Sequence, residues 1–353
     1  MNSTNSTNSL AEDLDHILTH TRDLWEELRN QRIFITGGTG FFGCWLLESF
    51  AWANDKLHLN AEAVVLTRNY ESFLKKAPHL ATNPAIKYHL GDVRDFEFLE
   101  GHFPFVIHAA TEASAKLNEE NPLLMWDTII EGTRHTLEFS RHAGTKKFLL
   151  TSSGAVYGKQ PPDITHIPEE YTGAPDPNSA YGEGKRAAEM LCAIYLKTYG
   201  IQTKIARCFA FVGPYLPLDI HYAIGNFIRD GIKGGPIQVK GDGTPYRSYL
   251  YVADLTIWLW TILFRGKSCS PYNVGSAREV AIGILANTIA ALCRPAVEVY
   301  FEKAPTPGRS VEWYVPSTQK VHSELGLQQH IQLKEAITKT IQYYQLNQWS
   351  REE

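Results

Sequence analysis

Arg32-Ile33-Phe34-Ile35-Thr36 runs directly into Gly37-Gly38-Thr39-Gly40-Phe41-Phe42-Gly43, and this junction decides the fold. The first segment reads as a buried strand, apolar on both faces. The second carries glycines at 37, 40 and 43 and leads into Trp45–Ala53, a stretch of helical composition. A strand that feeds a helix in this way needs bare backbone for the tight turn, for close approach of a pyrophosphate, and for packing of helix on strand. The helix N-terminus then offers unpaired N–H groups to the phosphates. Gly37, Thr39, Gly40, Phe41, Phe42 and Gly43 are therefore expected to cradle a dinucleotide.

The pattern repeats outward from this junction. Ala63–Thr67, Ile86–His89, Phe105–His108, Lys147–Ser152 and Lys204–Arg207 are short apolar runs, separated by helix-like segments such as Pro122–Ala143 and Ala180–Thr198. Strands apolar on both faces, alternating with helices, predict an α/β fold: a Rossmann-type doubly wound parallel sheet with helices on both sides. Beyond residue 208 come Gly- and Pro-rich loops (Val212–Leu218, Gly234–Pro236, Gly241–Pro245, Ala304–Arg309), where a smaller C-terminal substrate-binding domain is expected. The expected boundaries are a disordered tail over 1–9 and an amphipathic helix over 10–30. A dinucleotide-binding domain over 31–208 (plus about 247–275) follows, with 209–246 and 276–345 binding substrate. Leu10, Leu14, Ile17, Leu18, Leu24, Trp25 and Leu28 give the N-terminal helix its apolar face, either packed on the main domain or open to a dimer contact.

Composition narrows the function. Lys+Arg 34 against Asp+Glu 38 gives a net charge of -4, with none of the basic bias that nucleic-acid binding requires. With 44% hydrophobic and 20% charged residues the chain is globular. Its longest apolar run, Leu255–Phe264, falls far short of the roughly 20 residues of a membrane helix. The five cysteines form no CxxC pair and have no histidine at metal-ligand spacing, so neither a disulfide framework nor a metal site is expected. Met1–Leu10 repeats Asn, Ser and Thr without a charged or apolar leader segment, which predicts a cytoplasmic protein whose sequons at Asn2 and Asn5 go unused. The expected partner is a small molecule.

The end of the second strand bears on the cofactor. An acidic residue there would accept from the ribose of NAD, but the chain reads Leu66-Thr67-Arg68-Asn69. Arg68 meeting a 2′-phosphate leans the choice toward NADP, although the same guanidinium stacks on adenine with either NAD or NADP. Asp92, in Gly91-Asp92-Val93, is placed to accept from the adenine amino group. Val93, with Ala109 and Ala110 after the fourth strand, completes the expected cofactor wall.

Further along stand Thr151-Ser152-Ser153-Gly154-Ala155-Val156-Tyr157-Gly158 and Tyr181-Gly182-Glu183-Gly184-Lys185. Tyr181 and Lys185 share one helical face at i and i+4. A tyrosine ionises near pH ~10. The Lys185 ammonium and a positive nicotinamide ring would both favour the phenolate and pull that value toward neutrality. Tyr181 then takes a proton from a sugar hydroxyl, while Ser153 hydrogen-bonds the same oxygen. With the glycine loop, these residues make the chain, from about residue 32 to 345, resemble the extended short-chain dehydrogenases/reductases of the sugar-nucleotide epimerase/dehydratase branch.

The resemblance implies more. Lys185 would also hold the nicotinamide ribose, and Gly213-Pro214 would lie against the nicotinamide. Asn226-Phe227 resembles a substrate-loop pair near the nucleotide. Arg247, after Gly241-Asp242-Gly243, and Arg309, after Pro307-Gly308, resemble two arginines that converge on the diphosphate of a nucleotide-diphosphate sugar. Tyr157 is expected to be structural, and the assembly a homodimer. The departures concern the reaction. Dehydratases of this branch carry an acid pair, and decarboxylases a Glu, just after the Ser/Thr; here Gly154 and Ala155 stand there. Glu112 or Glu183 would have to substitute. Ile129 and Ala210 occupy positions that are Asn in the family. The expected activity is that of a 4-epimerase acting through a 4-keto sugar. The alternatives, in order, are an NADPH-dependent 4-ketoreductase, a 4,6-dehydratase, and a cofactor-binding regulator without turnover.

Overall fold

The computed structural model describes residues 8–111, 115–220, 222–306, 308 and 311–348. β1 (Arg32–Thr36), β2 (Glu62–Thr67), β3 (Ile86–Leu90), β4 (Phe105–His108), β5 (Lys147–Ser153) and β6 (Gln202–Cys208) share one seven-stranded sheet with Pro271–Val274. The spatial order is 271–274, β6, β5, β4, β1, β2, β3, and every pairing is parallel. Strand order therefore reverses between β1 and β4, which opens a crevice at their carboxyl ends.

Successive side chains of a strand point to opposite faces. Ile33 and Ile35 enter one apolar core with Trp45 and Phe50 of helix Phe41–Lys56 and with helix Val252–Arg265. Phe34, between them, enters the other core with Ile129 and Phe139 of helix Pro122–His142 and Ala188 of helix Ala180–Tyr199. Burial on both faces is the reason the strand sequences are continuously apolar. The helices begin where their caps dictate. Asn121 accepts from Leu124 N at 3.2 Å ahead of Pro122, and Ser179 accepts from Gly182 N at 3.1 Å. Gly200 closes the second helix in the left-handed conformation, φ 74°.

The N-terminal segment is a helix over Ala11–Thr21 followed by a single 3-10 turn over Trp25–Leu28, rather than one helix over 10–30. The break turns Trp25 inward, where its ring meets Trp260 at 4.7 Å and its indole N–H donates to Thr21 Oγ1 at 2.9 Å. Asp13 accepts from the Tyr251 hydroxyl at 2.6 Å. The segment thus covers helix Val252–Arg265.

Past β6 the described residues build three small sheets. One joins Glu279–Ala281, Tyr246–Ser248 and Trp313–Tyr314 in that order, and it carries residues 246, 247 and 314 to the carboxyl end of the main sheet. No helix among the described residues is long and apolar enough to cross a membrane.

Candidate active site

The glycine loop is held by backbone contacts. Gly37 has φ +72°, and a Cβ there would lie 2.4 Å from Ala109 O and 2.7 Å from Ala110 N. A Cβ on Gly43 would lie 2.3 Å from Gly37 O. At Gly40 the nearest atom is 3.3 Å away; its part is to start helix Phe41–Lys56 in extended backbone, with no side chain capping the first turn. The bare loop and uncapped helix start fit a pyrophosphate. Thr36 Oγ1 and His108 Nδ1 hydrogen-bond at 2.8 Å, and Ala110 N donates to Thr36 Oγ1 at 3.3 Å, which ties the ends of β1 and β4 across the crevice. Burial pushes His108 down to about 3, so its imidazole is neutral.

The other expected cofactor residues line the same edge. Lys76 Nζ donates to Thr39 O at 3.0 Å. Arg68 is exposed at the end of β2. Asp92 is already engaged, accepting from Arg94 Nε at 2.8 Å and Nη2 at 3.3 Å, and this guanidinium holds its carboxyl below the usual range. Val93 is buried against Gly132. Phe42, beside Phe41, meets Phe211 edge-on at 5.1 Å, and Pro214 O accepts from Trp45 Nε1 at 2.9 Å. The segment around Gly213-Pro214 is thereby fixed to the helix that follows the glycine loop.

Ser153 ends β5, and Tyr181 opens the first turn of helix Ala180–Tyr199. Lys185, one turn on, donates from Nζ to Thr151 O at 2.9 Å and to Thr111 Oγ1 at 3.0 Å. Its Nζ lies 5.9 Å from the centroid of the Tyr181 ring. Burial lowers the Lys185 ammonium to about 8. Tyr181 N donates to Asn118 Oδ1 at 2.9 Å, which anchors the start of the helix. Ser153 Oγ accepts from Ala155 N at 3.1 Å.

Two phenols stand beside the end of β5: Tyr181, whose neighbour Gly182 packs against Ala155 O, and Tyr314, whose hydroxyl takes the place of a side chain on residue 154. Burial pushes both phenols up, against the expectation that Lys185 depresses Tyr181. The physical reason is desolvation, which outweighs every other influence on each phenol. Tyr222 and Cys208 face the same spot, each acting on both phenols. Gly154 leaves no open space: a Cβ there would lie 2.7 Å from the Tyr314 hydroxyl and 2.8 Å from the Phe209 ring.

The remaining expected residues divide. Arg247 is half-buried, its Nη1 donating to Tyr246 O at 2.8 Å and its Nη2 lying 3.9 Å from Glu312. Asn226 Oδ1 accepts from Arg229 Nη1 at 3.3 Å. Glu183 accepts from Asp176 N at 2.9 Å and pairs with Arg186 at 3.8 Å, so it is tied to its own helix and the preceding loop. Glu112 and Arg309 lie outside the described residues. Tyr157 is buried, donating to Asn273 Oδ1 at 2.6 Å and accepting from Arg207 Nη1 at 2.9 Å. Ile129 is buried against Gly184, where a Cβ would meet its Cδ1 at 3.1 Å, so an apolar side chain sets the spacing of the two helices. Ala210 is half-buried against the larger core.

Residues 33–275 match the NAD dependent epimerase/dehydratase family. The chain belongs to that family. UDP-glucuronic acid decarboxylase 3 of Arabidopsis thaliana is 31% identical over 312 residues, covering 87% of each chain. UDP-glucose 4-epimerase of Thermus thermophilus, solved in complex with NAD, superposes with a TM-score of 0.73 at 25% identity, over 89% of this chain and 99% of that one. UDP-glucose 4-epimerase of Thermotoga maritima, solved with UDP-glucose, superposes with a TM-score of 0.76 at 22% identity, over 90% and 100% of the two chains; this likeness is one of fold. That family is NAD dependent.

Sequence reasoning passed over five neighbours of this site: Thr111, Asn118, Cys208, Tyr222 and Tyr314. Cys208 ends β6 and Thr111 stands three residues past β4, so both lie at the carboxyl ends of strands, where a doubly wound sheet places ligands, a signal that was available. Tyr222 and Tyr314 sit in no local motif. Only the packing of the small sheets against the main one brings them in.

Proposed function

We propose that the protein is a sugar-nucleotide 4-epimerase working through a 4-keto sugar. The observation that carries this reading is the environment of Ser153. Tyr181 opens the helix beside it, the Tyr314 hydroxyl takes the place of a side chain on residue 154, and the adjoining Gly154 and Ala155 supply no carboxylic acid. Proton exchange with one sugar oxygen is within the means of such a site; elimination of a neighbouring hydroxyl is not.

The backbone at Gly37, Gly40 and Gly43 would hold the pyrophosphate of NAD, and Lys185 the nicotinamide ribose. When bound, NAD supplies a reversible hydride acceptor. Tyr181 accepts the proton of the 4-hydroxyl and later returns it. Because burial keeps the Tyr181 phenol protonated among the protein's own groups, its base form needs further positive charge in the pocket. Ser153 donates to the same sugar oxygen. Arg247 and Arg309 would engage the diphosphate. At the adenosine end the exposed Arg68, with no carboxylate beside it in Leu66-Thr67-Arg68-Asn69, favours NADP as the alternative cofactor. We also read residues 31–208 with about 247–275 as the nucleotide-binding domain, and 209–246 with 276–345 as the substrate-binding one.

A second reading has its own support. The 31% identity to an Arabidopsis UDP-glucuronic acid decarboxylase favours a UDP-uronic acid as substrate and loss of carbon dioxide from the 4-keto sugar. Incubation with a panel of UDP-, dTDP-, GDP- and CDP-sugars, read by mass spectrometry and reduced-nicotinamide absorbance, separates these outcomes. An epimerase gives a product of unchanged mass with no added NAD(P)H and no steady absorbance change. Loss of carbon dioxide establishes the decarboxylase. Loss of water establishes a dehydratase and points to Glu112 or Glu183. Stoichiometric NADPH consumption on a 4-keto sugar establishes the reductase.

The assembly we propose is a homodimer. Helices Pro122–His142 and Ala180–Tyr199 expose apolar pairs at i, i+3 and i, i+4, namely Leu123 with Trp126 and Met190 with Ile194. Sedimentation of a single monomeric species at micromolar concentration would exclude it.

A further inference from the structure

Next to Ser153 lies a polar row that the proposed chemistry does not use. On the face of β5 that helix Ala180–Tyr199 covers, Phe148 and Leu150 pack in the same core as Ala188 and Cys192. Alternation puts Ser152 third in that row, where another apolar residue is expected. Arg207 of β6 stands opposite Ser152 in the parallel register, and Asn273 stands opposite Arg207. Glu189, one turn past Lys185 on the helix, meets this row. Its Oε1 accepts from Ser152 Oγ at 2.6 Å and from Arg207 Nε at 3.0 Å, and its Oε2 accepts from Arg207 Nη2 at 2.7 Å. The side chains of Arg207 and Glu189 are only 14% and 12% exposed. Arg207 Nη1 is engaged as well, donating to the Tyr157 hydroxyl at 2.9 Å and to Glu169 O at 3.1 Å.

Replacing a buried ion pair by well-packed apolar residues is often neutral or stabilising, so stability does not explain this row. What the row supplies is a single arrangement. A guanidinium and a carboxylate joined by two parallel hydrogen bonds meet at one distance and one angle, whereas apolar contacts let a helix slide along a strand. The helix thus grips β5 at two successive residues: Lys185 Nζ on Thr151 O at 2.9 Å, and Glu189 on the Ser152 hydroxyl. Positions i and i+4 share a helical face, and Tyr181, Lys185 and Glu189 follow that spacing. Ser153 is the next residue of the strand. We propose that Glu189 and Ser152 are positioning residues: the bond between them sets the register of helix against strand that places Tyr181 and Lys185 beside Ser153. A carboxylate only accepts, so the Ser152 proton is committed to Glu189 and none is left for a sugar. Two adjacent serines are thereby given different tasks. The inference rests on the reading of Ser153, Tyr181 and Lys185 given above.

Ser152→Ala cuts the link to β5 and leaves the pair of Arg207 and Glu189 intact, so no charge is left buried alone. With the sugar nucleotide identified by the panel, kcat of the NAD-loaded protein should fall about tenfold while KM stays within about twofold, as for misplaced catalytic groups. Without substrate, amide hydrogen exchange over Ser153–Tyr157 and over the first turns of helix Ala180–Tyr199 should quicken about fivefold or more, with β1 to β3 unchanged. Glu189→Gln is the converse: its side-chain oxygen can still accept from Ser152, but Arg207 loses its countercharge. It should lower the midpoint of thermal unfolding more than Ser152→Ala does, yet lower kcat less. A merely structural network would leave kcat per folded molecule untouched in Ser152→Ala. Unchanged kcat or unchanged exchange in Ser152→Ala would overturn the inference, and so would a loss of kcat in Glu189→Gln greater than that in Ser152→Ala. Normal turnover in Lys185→Met would instead overturn the reading of the site, and this inference with it.

Discussion

The two halves of the crevice are built from different materials. On the cofactor side the decisive contacts are backbone against backbone: a Cβ at Gly43 would strike Gly37 O at 2.3 Å, and one at Gly37 would strike Ala109 O at 2.4 Å. Most of the residues concerned are contiguous, from β1 through the first turn of its helix. On the substrate side the contacts are between side chains that meet from distant segments: Tyr314 on Phe209, Arg247 beside Tyr314, and Lys185 on Thr111. Backbone cannot yield, so the first half admits no substitution at its tight glycines. Side chains can be exchanged one at a time, so the second half is where a reaction and a substrate can be respecified on a constant fold.

That contrast can be broken by experiment, and the largest effect belongs to the cofactor side. Gly43→Val forces atoms into backbone and should destabilise the protein by about 3 kcal/mol or more, with loss of NAD binding, as read by thermal unfolding and NAD titration. Gly154→Ala also makes close contacts, but with the side chains of Tyr314 and Phe209, and should cost only about 1 kcal/mol. Equal losses at the two glycines would remove the distinction.

Next in size is Tyr181→Phe, expected to lower turnover at least ~10²-fold while leaving NAD affinity nearly unchanged. Near-normal turnover would take Tyr181 out of the chemistry. Arg68→Ala tests the outer edge of the cofactor side. If the guanidinium meets a 2′-phosphate, NADP binding weakens by roughly 1–3 kcal/mol and NAD binding hardly at all. Equal weakening of both would mean that Arg68 only stacks on adenine.

The smallest expected effect concerns Lys185, where the two halves meet. Its folded value lies near 8, below the ordinary 10.5, so between those values the unfolded chain binds more protons and stability rises with pH. Below pH 8 the buried ammonium is a standing cost, partly offset by its bonds to Thr111 and Thr151. Lys185→Met should therefore raise stability at pH 7 by about 1 kcal/mol while abolishing turnover, and the gain should shrink toward pH 10. A variant less stable than the parent at pH 7 would show that the two hydrogen bonds outweigh the desolvation.

Much of this architecture could be read in advance, for reasons visible at particular residues. β1 to β6 are legible because a parallel strand buried on both faces has to be apolar throughout. Pro271–Val274 carries no such signal, since its buried Asn273 is polar and is satisfied by Ile167 O at 2.9 Å, Ser317 O at 3.1 Å and the Tyr157 hydroxyl. The i, i+4 spacing put Lys185 beside Tyr181, but not the strength of their coupling. The ammonium is held by Thr111 and Thr151, and burial moves the phenol the other way. Asp92, free in the sequence, is bound to Arg94 in the fold.

By itself the sequence determined the sheet, the glycine loop and the order of Ser153, Tyr181 and Lys185, because each depends on interactions within a few residues: strand burial, the φ of Gly37, one turn of helix. Only the tertiary structure decided what surrounds the Ser153 hydroxyl. The partner that fills the place of residue 154 comes from a strand near the end of the chain, and its approach is set by the stacking of Trp313 on Tyr246 and by the packing of Tyr314 on Phe209. Contacts of that kind leave no local pattern, because the residues that make them are neighbours only after the small sheet has docked on the large one.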